Sequence, residues 1–194
     1  MANIYVGLVH YSIYNKNMQV IAGAVTNFDI HDIARTCRTY DVKQYYIVHP
    51  LEVQRDIVLK ILDFWQEGYG GQYNPDRAEA LSRVCWQPDI EACAAHIEQL
   101  EGQRPYIVTT DARTYPNTVG YKFIRKQLQE GSKPVLLLLG TGYGLDAETM
   151  KRFDYILEPV YGACDYNHLC VRSAAAIILD RLVGEPWYEK EIEK

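Results

Sequence analysis

Several common classes of protein are excluded by what this sequence lacks. No apolar stretch approaches the roughly 20 residues of a membrane-spanning helix, so no membrane segment is expected. The five cysteines are an odd number and include no Cys-x-x-Cys pair, which argues against a disulfide framework and a zinc site. The first residues have neither the basic flank nor the long apolar run of a signal peptide. Reduced thiols, no bound metal and a cytoplasmic location are therefore expected.

An excess of positive charge, the usual mark of a nucleic-acid-binding protein, is also missing. The formal net charge is −5 and the sequence pI is about 5.5, whereas non-specific affinity for nucleic acid comes mainly from neutralising phosphates. The segment 113–133 is an exception, because its basic residues outnumber its one acidic residue, Glu130. These basic residues are Arg113, Lys122, Arg125, Lys126 and Lys133. A basic strip that contacts an anionic partner and a solvated helix face are both compatible with this segment.

The hydrophobic pattern predicts an α/β protein that forms one domain over residues 1–194. With 48% hydrophobic and 23% charged residues, the chain can bury a sizeable core. Predicted strands alternate with predicted helices, which indicates a mainly parallel sheet with helices on both faces. The predicted strands are Ile4–Val9, Gln44–Val48, Val84–Gln87, Pro105–Thr109, Val135–Leu139 and Asp154–Glu158. The main predicted helices run from Thr26 to about Tyr40, from after Pro50 to about Trp65, and over Asp89–Leu100, Val119–Gln129 and Val171–Leu182.

A glycine-rich turn, Gly140-Thr-Gly-Tyr-Gly144, follows the strand Val135–Leu139. Alternating glycines allow positive φ and close approach of a ligand to the backbone, so the turn predicts a ligand loop; a plain tight turn is the alternative. A phosphate-binding P-loop would need Gly-Lys-Ser/Thr at the loop end, where Leu145 stands instead. A dinucleotide-binding fold needs a third glycine at that same position, and too little chain follows to complete one.

The residues after this loop give a more specific signal. The order is strand, glycine loop, strand ending at Pro159, a polar loop, and a helix that contains Ser-Ala-Ala-Ala-Ile-Ile-Leu from Ser173. Asn167 is a candidate N-cap for that helix. This order resembles the carboxy-terminal half of the SPOUT superfamily of RNA methyltransferases. The amino-terminal half agrees, since Arg35-Thr36 stands in register with the Arg-Thr of the SpoU motif, although Asp29 replaces the motif's asparagine.

The resemblance implies properties that the pattern alone could not predict. It implies a carboxy-terminal trefoil knot, a homodimer that pairs through the knot region, S-adenosylmethionine (SAM) as cofactor, and methyl transfer to a tRNA or rRNA nucleotide. It also assigns cofactor contacts to residues at four places in the chain. These residues are Thr109, Thr110, Asp111, Leu139, Gly140, Thr141, Gly142, Gly144, Leu145, Ile156, Leu157, Pro159, Asn167, His168, Leu169 and Ser173.

Arg35 and Asp29 are the candidate catalytic residues on the acceptor side. Arg35 matches the family motif and lies on the outward face of its predicted helix, where it is suited to anchor a phosphate because guanidinium loses a proton very unwillingly. Its alternative role is a surface salt bridge with Asp32. Asp29 has the chemistry of an acid–base group, which favours a base nitrogen over a ribose 2′-hydroxyl as acceptor; its alternative role is the helix N-cap.

Two other functions remain open at this point. A knotted SAM-binding protein that is non-catalytic, or that methylates a protein, fits the acidic pI and the presence of Asp29. A nucleotide-dependent oxidoreductase is the third hypothesis, and it requires binding of NAD(P).

Overall fold

The computed structural model describes residues 1–186, which form an α/β fold around one seven-stranded sheet. The strands lie in the order β5-β4-β1-β8-β6-β9-β7, and every neighbouring pair is parallel. Their bounds are β1 Ile4–Val9, β4 Tyr45–Val48, β5 Val84–Gln87, β6 Tyr106–Thr110, β7 Thr118–Val119, β8 Val135–Gly140 and β9 Tyr155–Leu157. A separate antiparallel hairpin consists of β2 Ile13–Tyr14 and β3 Val20–Ile21. The mainly parallel sheet predicted from the sequence is confirmed.

Helices cover both faces of this sheet, as predicted. They are α1 Asn27–Thr39, α2 Glu52–Gln66, α3 Tyr69–Tyr73, α4 Pro75–Leu81, α5 Ile90–Glu101, α6 Tyr121–Glu130, α7 Ala147–Met150 and α8 Val171–Val183. One hydrophobic cluster joins the sheet to α1, α2, α6 and α8 through side chains such as Ile33, Leu62 and Ile178. The other cluster joins the opposite face to α5 and α7 through Ile97 and Met150. Within residues 1–186, no helix combines the length and the apolarity needed to cross a bilayer.

The central strands explain why the sequence pattern was informative here. All six residues of β1 and the first five of β8 are buried, because helices on both faces leave a parallel strand no solvent-exposed side. The register pairs Ile4 with Val135 and Val9 with Gly140. The glycine loop after β8 therefore begins directly beside the end of β1.

The structure differs from the predictions at four places. The segment 10–17 contains β2, and the segment 67–75 contains α3 and the start of α4, and none of these elements was among the predicted ones. Helix α6 begins at Tyr121 rather than Val119, because Thr118–Val119 pairs with β9 as a short edge strand. The N-cap position of α8 is Cys170 and not Asn167. Two-residue strands have too few positions to show a period-two pattern, which is why the sequence gives no signal for them.

Candidate functional site

The carboxyl ends of β1, β8, β6 and β9 lie side by side in the sheet, and the loops that leave them form one edge. In open parallel sheets, this edge is where ligands bind. The sequence-predicted residues of segments 109–111, 139–145 and 156–159 all lie at or next to it. The structure therefore brings these three segments to one edge of the sheet.

The glycine loop adopts a conformation that requires glycine at two positions. Gly142 has φ 62° and Gly144 has φ 94°. Residues other than glycine adopt such positive φ angles only at a cost in free energy. A Cβ on Gly144 would lie 3.2 Å from Arg113 Nη2 and 3.3 Å from Asp111 Oδ2. Gly140 differs, because a Cβ there would make only ordinary contact with Leu145. The loop is therefore a shaped cradle that places bare backbone beside an ion pair.

The β2–β3 hairpin, which the sequence did not reveal, braces this loop. The Tyr14 amide donates to the Gly144 carbonyl at 2.9 Å, and the Tyr143 amide donates to the Tyr14 carbonyl at 3.0 Å. Ser12 donates a short hydrogen bond to the Asp146 carboxylate, and Thr141 Oγ1 donates to the Val9 carbonyl at 2.9 Å. These bonds fix the conformation of the glycine loop from the side of the hairpin.

The Asp111 side chain is enclosed at this edge and is only 5% exposed. The Arg113 guanidinium donates two hydrogen bonds to the Asp111 carboxylate, from Nε to Oδ1 at 2.9 Å and from Nη2 to Oδ2 at 3.0 Å. The Tyr115 hydroxyl donates to Oδ2 at 3.2 Å. The neighbouring Asp111 carboxylate raises the Arg113 pKa above its ordinary value. Such a bidentate pair fixes the position of both partners.

The hydroxyl and aliphatic candidates divide between the two faces of the sheet. Thr109 is fully buried and its Oγ1 has no hydrogen-bond partner within the described residues, whereas Thr110 Oγ1 donates to the Leu138 carbonyl at 3.3 Å. Leu139 and Leu157 belong to the α1/α8 side of the core. Leu145 and Ile156 belong to the α5/α7 side. The unpaired Thr109 hydroxyl is the kind of buried polar group that a ligand or a water satisfies.

The segment after β9 connects this edge to α8. Pro159 is buried, and Asn167 Nδ2 donates to the Ala112 carbonyl at 2.8 Å, which ties the segment to the loop that follows β6. His168 packs its ring against Tyr166 with centroids 5.4 Å apart. Leu169 is 44% exposed. Ser173 is exposed, and its Oγ lies 3.2 Å from Cys170 Sγ, one turn before it. Of the predicted residues in this segment, Asn167 therefore has a direct link to the loop after β6.

Arg35 lies on the exposed face of α1, as predicted. It lines a hollow of about 360 Å³ between α1 and α8, and the other lining residues are Asp32, Thr36, Thr39, Tyr40 and Ala176. The predicted alternative, a salt bridge with Asp32, is wrong, because Asp32 pairs with Arg172 Nε at 3.5 Å. Within residues 1–186, the Arg35 guanidinium has no hydrogen bond or ion pair. A free guanidinium in a hollow is available to bind an anion.

Asp29 is buried at the start of α1 and is not the N-cap. The N-cap is Thr26, whose hydroxyl accepts the Asp29 amide at 3.2 Å and donates to the Asp29 carboxylate at 2.6 Å. The Thr26 hydroxyl therefore satisfies one free amide at the start of α1 and also orients the Asp29 carboxylate. The other carboxylate oxygen lies 3.8 Å from Arg172 Nη1. Arg172, which the sequence analysis missed, therefore joins Asp29 to Asp32 across the α1/α8 interface.

His10 is a further buried group at the end of β1, exposed by only 1% and with both ring nitrogens unpaired within the described residues. The ring lies 6.0 Å from that of His49. His49 uses its nitrogens on the Gly23 carbonyl and the Leu51 amide, so it offers none to His10. Burial, with a smaller contribution from His49, lowers the His10 pKa to about 4, against a smaller opposing effect of Asp29.

This lowered pKa predicts a loss of stability in mild acid. The unfolded chain takes up a proton on His10 below pH 6.5, while the folded protein resists it down to about pH 4. The free energy of unfolding then falls across that window by about 3 kcal/mol from this group. We expect the His10→Leu variant to lose much less stability than the parent between pH 6.5 and 4, measured by urea unfolding at each pH. Parallel pH profiles for the two proteins would contradict this assignment.

A second, mostly apolar cavity of about 480 Å³ lies beside the glycine loop. Leu145 and Ile156 form part of its wall and are the two cofactor candidates that reach it. The remaining walls come from the β2–β3 hairpin, the loop after β6 and α7, including Tyr14, Tyr115 and Met150. No group of three or more His, Cys, Asp or Glu side chains suited to a metal ion occurs in the part of the chain that the structure describes.

Comparisons with known proteins find similar sequences and a matching family model. The model of a family of SAM-dependent RNA methyltransferases matches residues 3–184. A protein of Aquifex aeolicus (strain VF5) with no assigned function is 43% identical over 180 residues, which cover 93% of this chain and 88% of that protein. A tRNA (guanine-N(1)-)-methyltransferase of Oleidesulfovibrio alaskensis is 44% identical over 183 residues, covering 94% of this chain. That alignment spans 42% of the longer relative.

Solved structures share the fold at low sequence identity. A methylase family protein from Neisseria gonorrhoeae has a TM-score of 0.60 at 14% identity, covering 100% of this chain and 87% of that one. TrmJ from Z. mobilis ZM4 has a TM-score of 0.56 at 11% identity, covering 98% of this chain and 70% of that one. The A. aeolicus TrmH/SpoU tRNA modifying enzyme has a TM-score of 0.50 at 17% identity, with coverage of 93% and 73%. These structures share the fold, and the match of the family model to residues 3–184 confirms the resemblance to RNA methyltransferases that was inferred from the sequence.

Proposed function

The chain belongs to a family of SAM-dependent RNA methyltransferases, and from this premise we propose that it methylates a nucleotide of tRNA or rRNA at the edge described above. SAM would supply an electrophilic methyl group. Transfer of this group to the acceptor atom breaks the carbon–sulfur bond, and the products are the methylated acceptor, S-adenosylhomocysteine and one proton. The observation that carries the proposal is the preformed glycine cradle beside the enclosed Asp111. The proposal includes that the chain forms one domain, and an RNA substrate of this kind implies a cytoplasmic enzyme.

The residues at this edge fit the cofactor. Gly142 and Gly144 leave room that a Cβ would fill, the buried Thr109 hydroxyl lacks a partner among the described residues, and Asp111 offers a carboxylate to ribose hydroxyls. We assign to the cofactor the three segments at the sheet edge and the residues Asn167, His168, Leu169 and Ser173. Exposed backbone amides and carbonyls in these loops are suited to the hydrogen-bonding edge of an adenine.

On the acceptor side, Arg35 would anchor a phosphate of the RNA, because its guanidinium is free and planar. Asp29 would hold the proton released during transfer, since its buried carboxylate in the first turn of α1 has suitable acid–base chemistry. Arg172 would position that carboxylate from across the helix interface. A base nitrogen is the favoured acceptor, because a carboxylate is a weak base and a ring N–H is more acidic than a ribose 2′-hydroxyl.

The relatives' names do not extend this proposal to a particular atom. The chain spans 42% of the two named tRNA (guanine-N(1)-)-methyltransferases, from Oleidesulfovibrio alaskensis and Nitratidesulfovibrio vulgaris. Those two proteins are more than twice as long as the region that aligns with this chain. Guanine N1 is therefore one acceptor to test among several.

A trefoil knot and a homodimer complete the proposal. The Asn167–Ala112 hydrogen bond supports a knot, because it brings the segment before α8 against the loop after β6. Large exposed side chains near α1 and α8 support a dimer through this region: Phe28 is 67% exposed and Tyr166 is 71% exposed. Burying such side chains against a second copy would be favourable. Sedimentation of the purified protein at micromolar concentration tests this directly, and a monomer would contradict it.

Methyl transfer is tested with SAM that carries a labelled methyl group and RNA from cells that lack this protein, since its target would then be unmodified. The proposal predicts label in tRNA or rRNA, at one nucleotide identified by digestion and mass spectrometry. Binding of SAM without label in RNA would favour the alternative, a knotted SAM-binding protein that is non-catalytic or that methylates a protein. Label in a protein fraction would indicate a protein methyltransferase, and its absence would indicate a non-catalytic SAM-binding protein.

A further inference from the structure

The apolar cavity beside the glycine loop is built differently from the proposed cofactor edge. Its eleven lining residues include two cations, Arg113 and Lys151, and no carboxylate. The sulfonium and amino groups of SAM are cationic, so a site with only positive side chains disfavours them. The Asp111–Arg113 pair lies against Gly144, between the loop and the cavity. The cavity is therefore unlike a site for the sulfonium end of the cofactor.

The walls of the cavity suit a flat aromatic ring that is attached to a negatively charged group. Tyr14 and Tyr115 offer aromatic faces, and Met150 and Ile156 give an apolar floor. Bases stack on aromatic side chains, and phosphates pair with Arg and Lys. The volume of about 480 Å³ is within the usual range of small-molecule sites. These are the requirements of a nucleotide.

The polar groups of the cavity have capacity left for a ligand. The Tyr14 oxygen accepts the Ala147 amide at 3.1 Å, which leaves its O–H free to donate. Arg113 uses Nε and Nη2 on Asp111, which leaves the Nη1 hydrogens. Lys151 pairs with Glu148 at 2.6 Å, but both side chains are largely exposed, and such pairs are weak and easily exchanged.

We propose that this cavity binds one nucleotide of the RNA substrate, with its base between the hairpin and the loop after β6 and its phosphate on Arg113 and Lys151. The inference rests on the proposed function for the identity of the RNA. It assigns a role to the β2–β3 hairpin, which forms one wall through Tyr14 and Met18. Because the same hairpin braces the glycine loop, the nucleotide would be held beside the cofactor.

Two variants probe the cavity without disturbing the cofactor edge. Ala147→Trp fills it from an exposed position on α7, and Lys151→Gln removes one cation. The matched controls are Ala95→Trp, on the exposed side of α5, and Lys43→Gln, whose lysine also pairs with a carboxylate, Asp41, at 2.9 Å. The probes are the four nucleoside 5′-monophosphates at millimolar concentration, followed by nuclear magnetic resonance, and SAM, followed by calorimetry.

We expect at least one monophosphate to bind in the presence of saturating SAM, and Ala147→Trp to abolish that binding while SAM affinity stays within twofold. Lys151→Gln should weaken monophosphate binding several-fold, and both controls should behave as the parent. Unchanged monophosphate binding in Ala147→Trp would overturn the inference. Loss of SAM binding in that variant would also overturn it, since the cavity would then belong to the cofactor, while the proposed function would stand.

Substrate kinetics decide the source of the nucleotide. If it belongs to the RNA, the KM for RNA should rise at least tenfold in Ala147→Trp with little change in the KM for SAM. An unchanged KM for RNA, together with lost monophosphate binding, would mean that the cavity takes a free nucleotide and would overturn the assignment to RNA.

Discussion

Replacing Arg35 by alanine is expected to reduce methyl transfer by roughly 100-fold or more while leaving SAM affinity unchanged, because misplacing a reacting group by a small distance has effects of that size. Arg35 lies in the hollow between α1 and α8, and it has no ion-pair partner in residues 1–186 that would give it a structural role. Its removal should therefore not affect the fold. Single-turnover methylation of the RNA target and calorimetric SAM titration measure the two quantities separately.

A matched control is available on the same helix. Arg38 forms an exposed ion pair with Glu79, so Arg38→Ala should lose little stability and little activity. Arg35→Lys keeps the charge but not the planar fork, and we expect it to recover only part of the activity. Full activity in Arg35→Ala would remove Arg35 from the acceptor site, and loss of SAM binding would place it at the cofactor instead.

Replacing Gly144 by alanine is expected to have the largest effect on the cofactor. Its φ of 94° is unfavourable for any residue with a Cβ, and the added methyl would press on both members of the Asp111–Arg113 pair. Strain of this kind costs about 1–3 kcal/mol, and the loop is expected to move to relieve it. Because SAM would then have to restore the original conformation, its affinity should fall roughly 10- to 100-fold. Calorimetry with the folded variant measures this.

Gly102 provides the control for backbone strain alone. It also has a left-handed φ, 71°, but a Cβ there would meet nothing within 4 Å. Gly102→Ala should therefore lower the free energy of unfolding by about 1 kcal/mol without changing SAM affinity. Equal SAM affinity in Gly144→Ala and the parent protein would show that the glycine loop does not hold the cofactor.

The long elements and the glycine loop were predictable from the sequence because each depends on local, repeated signals. The run Val135–Leu139 predicted a strand buried on both faces, and it is the centre of the sheet. In α1 the apolar residues Ile30, Ile33, Ala34 and Cys37 have the i, i+3, i+4, i+7 spacing of one helix face, and all four are buried. Arg35 was predicted to face outward for the same reason, and it does.

The parts that were missed depend on contacts between distant segments. Arg172 pairs with Asp29 and Asp32 across about 140 residues of sequence, and no local pattern encodes such a pair. The hairpin that braces the glycine loop consists of two-residue strands, too short for periodicity. The Asp29 N-cap interpretation was wrong because Thr26 and Asp29 have both the chemistry and the spacing for a capping box, and only the geometry separates their roles.

Calorimetric titration of the purified protein with SAM shows whether the glycine loop holds the cofactor. We expect saturable binding of one SAM per subunit, competition by S-adenosylhomocysteine and no heat from NAD. That result would also dispose of the oxidoreductase hypothesis. Absence of SAM binding at millimolar concentration, in a protein shown to be folded, would contradict the assignment of the glycine loop and the function built on it.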